Sequence, residues 1–439
     1  MTGSKESLQF NKFEIFSNEG SGSVDLRSGT PRIEYRENVF TPYVNITAAI
    51  VDTGNAFSAN DGSGRTISLL ESIKCQGTEK ILFNIEDGRG NKIKLDKDSD
   101  LRVDSTSFVT ESFKSTSFIL NIVSKEAYDN TLLDNRCRIN YSGKISDIAQ
   151  TIIKKTLKSN KKIDADETLN ELSDFGKDRY PFEMLLDLQK MSIPNIQNAK
   201  GKMAGYLFWQ TSNGFHFKSL DKLFDSTGKK VKKYILNHKV DLDIPIGYDD
   251  KILHYVANRT TQALQQFHSG AIGTVLDVWD EVTQTYTKLE PFTAEEKGNG
   301  IIAGKYLPRV NTEYRDEPTV RIIEKKAKGQ LVIPGDSIKT QVEKTEKENF
   351  VVEEILQQAK QNYRQKFNMS VEIIIAADFS LHAGDIIHCE FPELSTKDTI
   401  KRSLVSSGIY MISDLCHFGS PTKTFTGLHL VRDSYGIKQ

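Results

Sequence analysis

Twice along this 439-residue chain, short runs of alternating apolar and polar residues follow one another, with clusters of Gly, Asn, Asp and Ser between them. Side chains of a strand point to opposite faces in turn, so such runs bury one side as a sheet, and the turn clusters fold that sheet by hairpins. The first block runs from Leu8 to about Asn130 and includes Tyr43 to Val51, Arg65 to Ile73, Lys80 to Ile85, Lys92 to Leu95 and Ser117 to Val123. Turns are predicted at Asp52-Thr53-Gly54-Asn55, Asp61-Gly62-Ser63-Gly64 and Asp87-Gly88-Arg89-Gly90-Asn91. A first β-barrel domain over residues 1–130 is the expectation. The alternation on either side of Gly88 and Gly90 predicts a hairpin with one buried face.

Near Tyr141 the period changes. Ile145, Ile148, Ile152 and Leu157 recur at helical spacing, with Lys154, Lys155 and Lys158 toward the end. Pro181 suits a first helical position and is followed by Met184, Leu185, Leu188 and Met191 along one side. Lys202 to Gln210 and Gly214 to Leu220 then predict a hairpin, so residues 131–240 form an α/β connecting module. Strand-like runs at Gly273 to Trp279 and Thr285 to Leu289 assign residues 241–291 to the first part of a second β-barrel. Residues 292–348 hold 11 Lys or Arg and 10 Asp or Glu, the composition of a charged insertion with almost no net charge. Residues 349–439 complete the second barrel. Asn349 caps a helix with the stripe Val351, Ile355, Leu356, Ala359 and Tyr363, and strands follow at Met369 to Ala377, Ile386 to Phe391, Gly408 to Leu415 and Phe425 to Val431.

A chain of this length divides into several domains. Its hydrophobic fraction of 38% and charged fraction of 27% are those of a folded protein. The formal net charge of −1 supplies no global field to recruit nucleic acid or an anionic membrane. Cys75, Cys137, Cys389 and Cys416 form no CxxC pair, which fits folding in a reducing compartment. Met1 to Phe10 is polar, so no secretory signal is expected, and the longest apolar run, Ile373 to Ala377, is far too short to span a membrane.

The patterns that carry chemistry are incomplete. Gly300-Ile301-Ile302-Ala303-Gly304-Lys305-Tyr306 lacks the spacing of a phosphate loop and its Ser or Thr, while Gly20-Ser21-Gly22 and Gly62-Ser63-Gly64 read as turns. His382, His388, Cys389, Cys416, His417 and His429 are metal-ligand types, yet neighbours on a strand point to opposite faces and cannot share one ion without distortion. The pairs Asp249-Asp250 and Glu353-Glu354 could serve glycoside hydrolysis only if folding brought carboxyls together. Solvent exposure explains the first, and the dipole of a helix start the second. Lysines at 154–162 and at 229–233 could meet phosphates, but without interleaved aromatics they read as solvated faces. Trp209 and Trp279 sit in apolar strand-like runs and are expected in the core.

The order of these blocks, together with Ala376-Ala377-Asp378-Phe379-Ser380-Leu381-His382-Ala383-Gly384-Asp385 leading into Ile386 to Phe391, then Gly408 to His417 and Thr424 to Val431, resembles the central baseplate hub proteins of contractile-tailed bacteriophages. Those proteins carry a similar Leu-x-x-Gly-Asp strand start, here Leu381, Gly384 and Asp385, then a strand leading to a His-containing turn, then a closing strand. Gly384 suits the tight turn and Asp385 can accept from local backbone amides, while Ile387 and Phe391 pack inward. The resemblance implies a mainly β (α+β) fold with two tail-tube-like antiparallel β-barrel domains, the α/β module and the charged insertion. It further implies a homotrimer whose six barrels form a pseudo-sixfold ring around a DNA channel in the virion's tail baseplate, assembled in the host cytoplasm. The implied partners are a central spike protein and a tail tube or tube-initiator protein, with baseplate wedge and tape-measure proteins at the periphery. DNA would pass without sequence-specific binding, and no cofactor, metal, catalytic residue or stable membrane insertion is implied. The chain departs from the pattern in residues 292–348 and in its short tail after Val431. The alternatives are a tail-associated cell-wall hydrolase and a carbohydrate-binding tail protein, the latter needing exposed tryptophans.

Overall fold

The alternating runs of the first block form strands β1 (Gln9–Phe16), β2 (Ser23–Asp25), β3 (Arg32–Asn38), β4 (Asn45–Asp52), β5 (Lys80–Glu86), β6 (Lys92–Leu95), β7 (Leu101–Glu111) and β8 (Thr116–Ser124) in a computed structural model of the chain. The structure describes residues 8–20, 22–53, 69–97, 100–112, 114–196, 203–227, 230–236, 250–259, 263–271, 273–280, 284–288, 300–308, 311–315, 320–325, 335–346, 352–393 and 402–437. The period of two decides which side is buried: Ile46, Ala48 and Ile50 of β4 face inward with Phe118, Leu120 and Ile122 of β8. Pairing runs β2-β1-β5-β7-β8-β4-β3, antiparallel throughout, with β6 hairpinned onto β5. Gly90 turns that hairpin at φ +87°, and Asp87 accepts from the amides of Arg89 and Asn91.

The module contributes β9 (Asn140–Lys144), β10 (Ile163–Ala165), β11 (Glu171–Phe175), β12 (Tyr206–Thr211) and β13 (Gly214–Ser219), with helices Ile145–Thr151 and Pro181–Lys190. The first helix runs on through one π turn, Ile152–Thr156. Its stripe of Ile145, Ile148 and Ile152 packs with Met184, Leu185 and Leu188 against Phe208 and Phe217. Strand β12 is buried on both faces. Tyr206 and Phe208 enter the module's core, while Leu207 and Trp209 join a separate cluster with Met411 and Val431.

The remaining strands are β14 (Lys232–Leu236), β15 (Lys251–Arg259), β16 (Thr274–Asp280), β17 (Thr285–Lys288), β18 (Val320–Lys325), β19 (Met369–Ala376), β20 (Ile386–Glu390), β21 (Gly408–Gly419) and β22 (Thr424–Arg432). Six of them close a ring, β21-β20-β14-β15-β19-β22 and back to β21. Its pairings are antiparallel except at β14, which runs parallel to both β15 and β20.

The twelve-residue β21 is long enough to serve two bodies. One edge pairs with β20 and β3, and the other with β22, so that Ile33 to Asn38 of β3 lie opposite Gly419 to Asp414. Fourteen strands therefore form one hydrogen-bonded sheet, and residues of the first block and of the closed ring form one continuous apolar cluster. The inner face of the first block is covered by Phe13, Tyr35 and Phe83 and the interior of the ring is filled by Tyr234, Ile373 and Leu415, each fully buried side chain contributing about 1.5–3 kcal/mol.

Several expectations need correction. The run Arg65 to Ile73 is not a strand where it is described: Leu69–Ile73 is a helical turn, with Leu69 and Ile73 four apart on one buried face and the Leu69 amide donating to Asp52. The runs at 273–279 and 285–289 do form strands, but β16 pairs with β17 on one edge and β18 on the other in a separate three-stranded sheet instead of entering the second barrel. Strand β18 comes from the charged stretch 292–348, which also supplies helix Ile338–Glu346. Within that stretch Ala303 to Tyr306 dock on the chain's last residues: Ala303 N donates to Asp433, Gly304 N to Ser434 Oγ, and Tyr306 bridges Tyr435. The predicted turn at 61–64 and the helix cap at Asn349 lie outside the described residues.

Candidate functional site

The segment 378–385, between β19 and β20, touches both barrels and the module. Gly384 has φ +92°, and a Cβ there would stand 2.4 Å from Cζ2 of Trp209, so only glycine lets the indole lie across the turn. Trp209 Nε1 donates to Ala383 O at 3.0 Å. The turn is held from within, since Asp385 Oδ2 accepts from His382 N at 2.9 Å. It is tied to β21 by Gly384 N donating to Ile412 O and Ile412 N donating to Asp385 O, each at 2.8 Å. Leu381 is buried in the shared core, as are Ile387 and Phe391 beyond the turn.

Glu37, on β3 of the first barrel, is buried where the three bodies meet. Its carboxylate accepts from Ala383 N at 3.0 Å, Ser212 N at 3.0 Å and Tyr35 OH at 2.6 Å, and pairs with His382 Nδ1 at 3.1 Å. Burial pushes the carboxyl up, but the charge of His382 and these donors outweigh it, so its pKa lies below the ordinary value. Burial likewise opposes protonation of His382, and Glu37 overrides it, leaving the imidazole above its ordinary pKa.

Asp378 binds the other side of the segment. Its carboxylate accepts from Lys232 Nζ at 2.7 Å and Tyr234 OH at 2.9 Å, and Arg89 of the first barrel stands 3.5 Å away. Burial alone would raise its pKa, but these partners and Ser380 bring it to about 2. Phe379 N donates to Asp87 in the β5–β6 turn at 2.8 Å. The strands on either side thus anchor to one eight-residue segment through the charge-assisted bonds of Glu37, Asp87 and Asp378, and the module through the buried Trp209–Ala383 bond.

Elsewhere the suspected metal ligands scatter. His417 bonds Thr426 Oγ1 at 2.8 Å and lies between Tyr35 and Phe379, His429 bonds Ser413, and Cys389 is buried. Among the described residues no three His, Cys, Asp or Glu side chains are placed to share an ion. The second lysine cluster is engaged in pairs, Lys232 with Asp378 and Lys233 with Glu390 at 3.0 Å. Asp249 is outside the described residues. Trp209 is in the core, but Trp279 is 37% exposed, contrary to expectation: the small sheet leaves the end of β16 uncovered, where Trp279 pairs with exposed Tyr286. Glu37 escaped sequence reading because its partners lie 175 and 345 residues away. The one local signal was a lone acid on a strand with Tyr35 two residues before it.

No protein-family model and no curated protein sequence matches the chain. Solved structures do. The tail protein from Neisseria meningitidis MC58 aligns over 96% of each chain at 9% identity with a TM-score of 0.50. The 43 kDa tail protein of prophage MuSo2 from Shewanella oneidensis aligns over 96% of this chain and 98% of its own, at 9% identity and a TM-score of 0.49. Prophage tail protein gp18 from Listeria monocytogenes EGD-e aligns over 95% and 94%, at 8% identity and 0.46. The mainly β, barrel-containing fold of this chain is similar to that of the Neisseria tail protein.

Proposed function

We propose that the chain is a non-enzymatic structural protein of a phage-type tail, acting as the baseplate hub. The observation that carries this reading is the edge pairing of β3 with β21, which sets the first β block beside the closed ring in one chain, as two barrels per copy require. Three copies then offer six barrels, and a threefold assembly imitates the sixfold symmetry of a tube above while matching a threefold spike below. Because apolar side chains cover the inner face of the first block and fill the closed ring, passage for DNA has to lie on the axis of the assembly. Leu381, Gly384 and Asp385 have a mechanical role in this reading: their turn, clamped by Glu37, Trp209 and Asp378, fixes the angle between barrels that ring closure requires. The full-length likeness to tail proteins supports a tail role for the fold.

The test is the absolute mass of the purified protein by light scattering over a concentration series, alone and with its cognate spike, followed by electron microscopy of the largest species. A trimer with six density lobes around a central hole is expected. A monomer that stays monomeric with the spike would sink the hub reading.

A further inference from the structure

A cavity of about 480 Å³ opens between the β3–β4 turn, the end of helix Pro181–Lys190 and helix Val352–Lys366, on a floor of Phe40 and Phe367 whose rings are 4.9 Å apart. Among the described residues three cations line it, Lys190, Lys360 and Arg364, and no carboxylate does. Lys190 also meets Asp187 at 3.2 Å, outside the lining. Lys360 and Arg364 stand one helical turn apart and have no acidic partner among the described residues. Burial, and then the charge of Arg364, hold the Lys360 ammonium below its ordinary pKa, a cost that an incoming carboxylate would relieve.

We propose that this cavity receives a peptide segment of a partner protein in which an aromatic residue is flanked by carboxylates. The aromatic side chain would stack into the Phe40 and Phe367 floor, and its acidic neighbours would meet Lys360 and Arg364. A segment fits better than a small molecule because the cavity is open: Gln265 and Arg364 face solvent, and Phe40 on the floor is itself 53% exposed. Carboxamides suit a peptide backbone. Gln266 donates to Asn368 at 2.6 Å, and each amide group has further bonding capacity beyond that one contact. The cavity is complete within one chain, so the inference stands or falls independently of the trimer.

The probe is a fluorescein-labelled heptapeptide with one central phenylalanine and flanking glutamates, followed by fluorescence polarisation against the full chain. Saturable, salt-weakened binding is expected, reduced about tenfold or more by Arg364→Glu, by Lys360→Met and by replacing the peptide's phenylalanine with alanine. Lys190→Glu, at an exposed helix end, serves should either variant lose its native melting temperature. Absence of saturation would overturn the proposal, as would equal binding of a lysine-flanked peptide or indifference to the charge variants. Competition by 4-phenylbutyrate as strong as by the unlabelled peptide would overturn the partner-segment assignment in favour of a small-molecule site.

Discussion

A Cβ on Gly384 would stand 2.4 Å from Cζ2 of Trp209, although the two residues are 175 positions apart. The indole fills the space that glycine leaves, and its Nε1 holds the carbonyl next door. Gly384→Ala combines a left-handed backbone with a steric clash and is expected to cost about 3 kcal/mol. Urea denaturation would measure it, and a double-mutant cycle with Trp209→Phe should show coupling, because the smaller ring relieves part of the clash. Additive effects would contradict the contact.

The Glu37 and His382 pair gives the junction a pH optimum. His382 has a raised folded pKa, so its contribution is complete below the ordinary imidazole value and is lost as pH rises through the folded one. Glu37 has a lowered folded pKa, so its contribution is present above the ordinary carboxyl value and is lost as pH falls through the folded one. In His382→Asn the decline of stability on the alkaline side of neutrality should flatten. Stability measured by denaturant titration from pH 6 to 9 would check this, and an unchanged slope would remove the pair from the account.

A second acid limb comes from buried neutral imidazoles. Burial lowers His417 to about 3 and His216 to about 4, so the unfolded chain takes up protons first as pH falls below the ordinary histidine range. Each histidine then costs about 1.4 kcal/mol per pH unit until its folded pKa is reached. His417→Gln should make the fall in stability between pH 6 and pH 4 shallower by about that slope, even if it lowers stability at neutral pH.

Lys366 is a buried ammonium, 2.9 Å from Asp433 and 3.5 Å from Asp221, and it also donates to Ile301 O. It clasps the end of the chain to helix Val352–Lys366. Asp433→Asn leaves the charge with weakened compensation and is expected to cost about 3–5 kcal/mol. Replacing the whole cluster together, Lys366→Met with Asp433→Asn and Asp221→Asn, should recover much of that loss, as thermal unfolding would show. A triple variant no better than the single one would contradict a charge origin.

The β7–β8 hairpin carries Phe108 at 82% exposure, with a register shift between Ser107 and Thr110 beside it. In a ring of subunits such a side chain suits an interface. Phe108→Ser should change monomer stability by less than about 0.5 kcal/mol while raising the concentration at which larger species form in light scattering. Unaltered assembly would remove the hairpin from the interface.

Period and punctuation made the elements legible. Strands β4, β5, β6, β8, β12, β13, β19, β20 and β22 and helix Pro181–Lys190 follow the predicted runs within a few residues, because alternation and helical spacing are properties of neighbours along the chain. Leu381, Gly384 and Asp385 were legible as a turn for the same reason. Sequence could not show that β16 and β17 leave the barrel for a sheet with β18, since which edges pair is a choice among strands of similar pattern.

By itself, then, the sequence determined a mainly β chain interrupted by helices near Ile145 and Pro181, and a glycine turn ahead of β20. Only the tertiary structure decided that β3 and β21 merge the first block and the ring into one sheet, and that Glu37, Trp209 and Lys232 converge on the segment that begins at Asp378. Those contacts join residues more than a hundred positions apart, and their strength comes from partners that offset the cost of burying charge, beside an indole that excludes water. That environment exists only once the three bodies have packed.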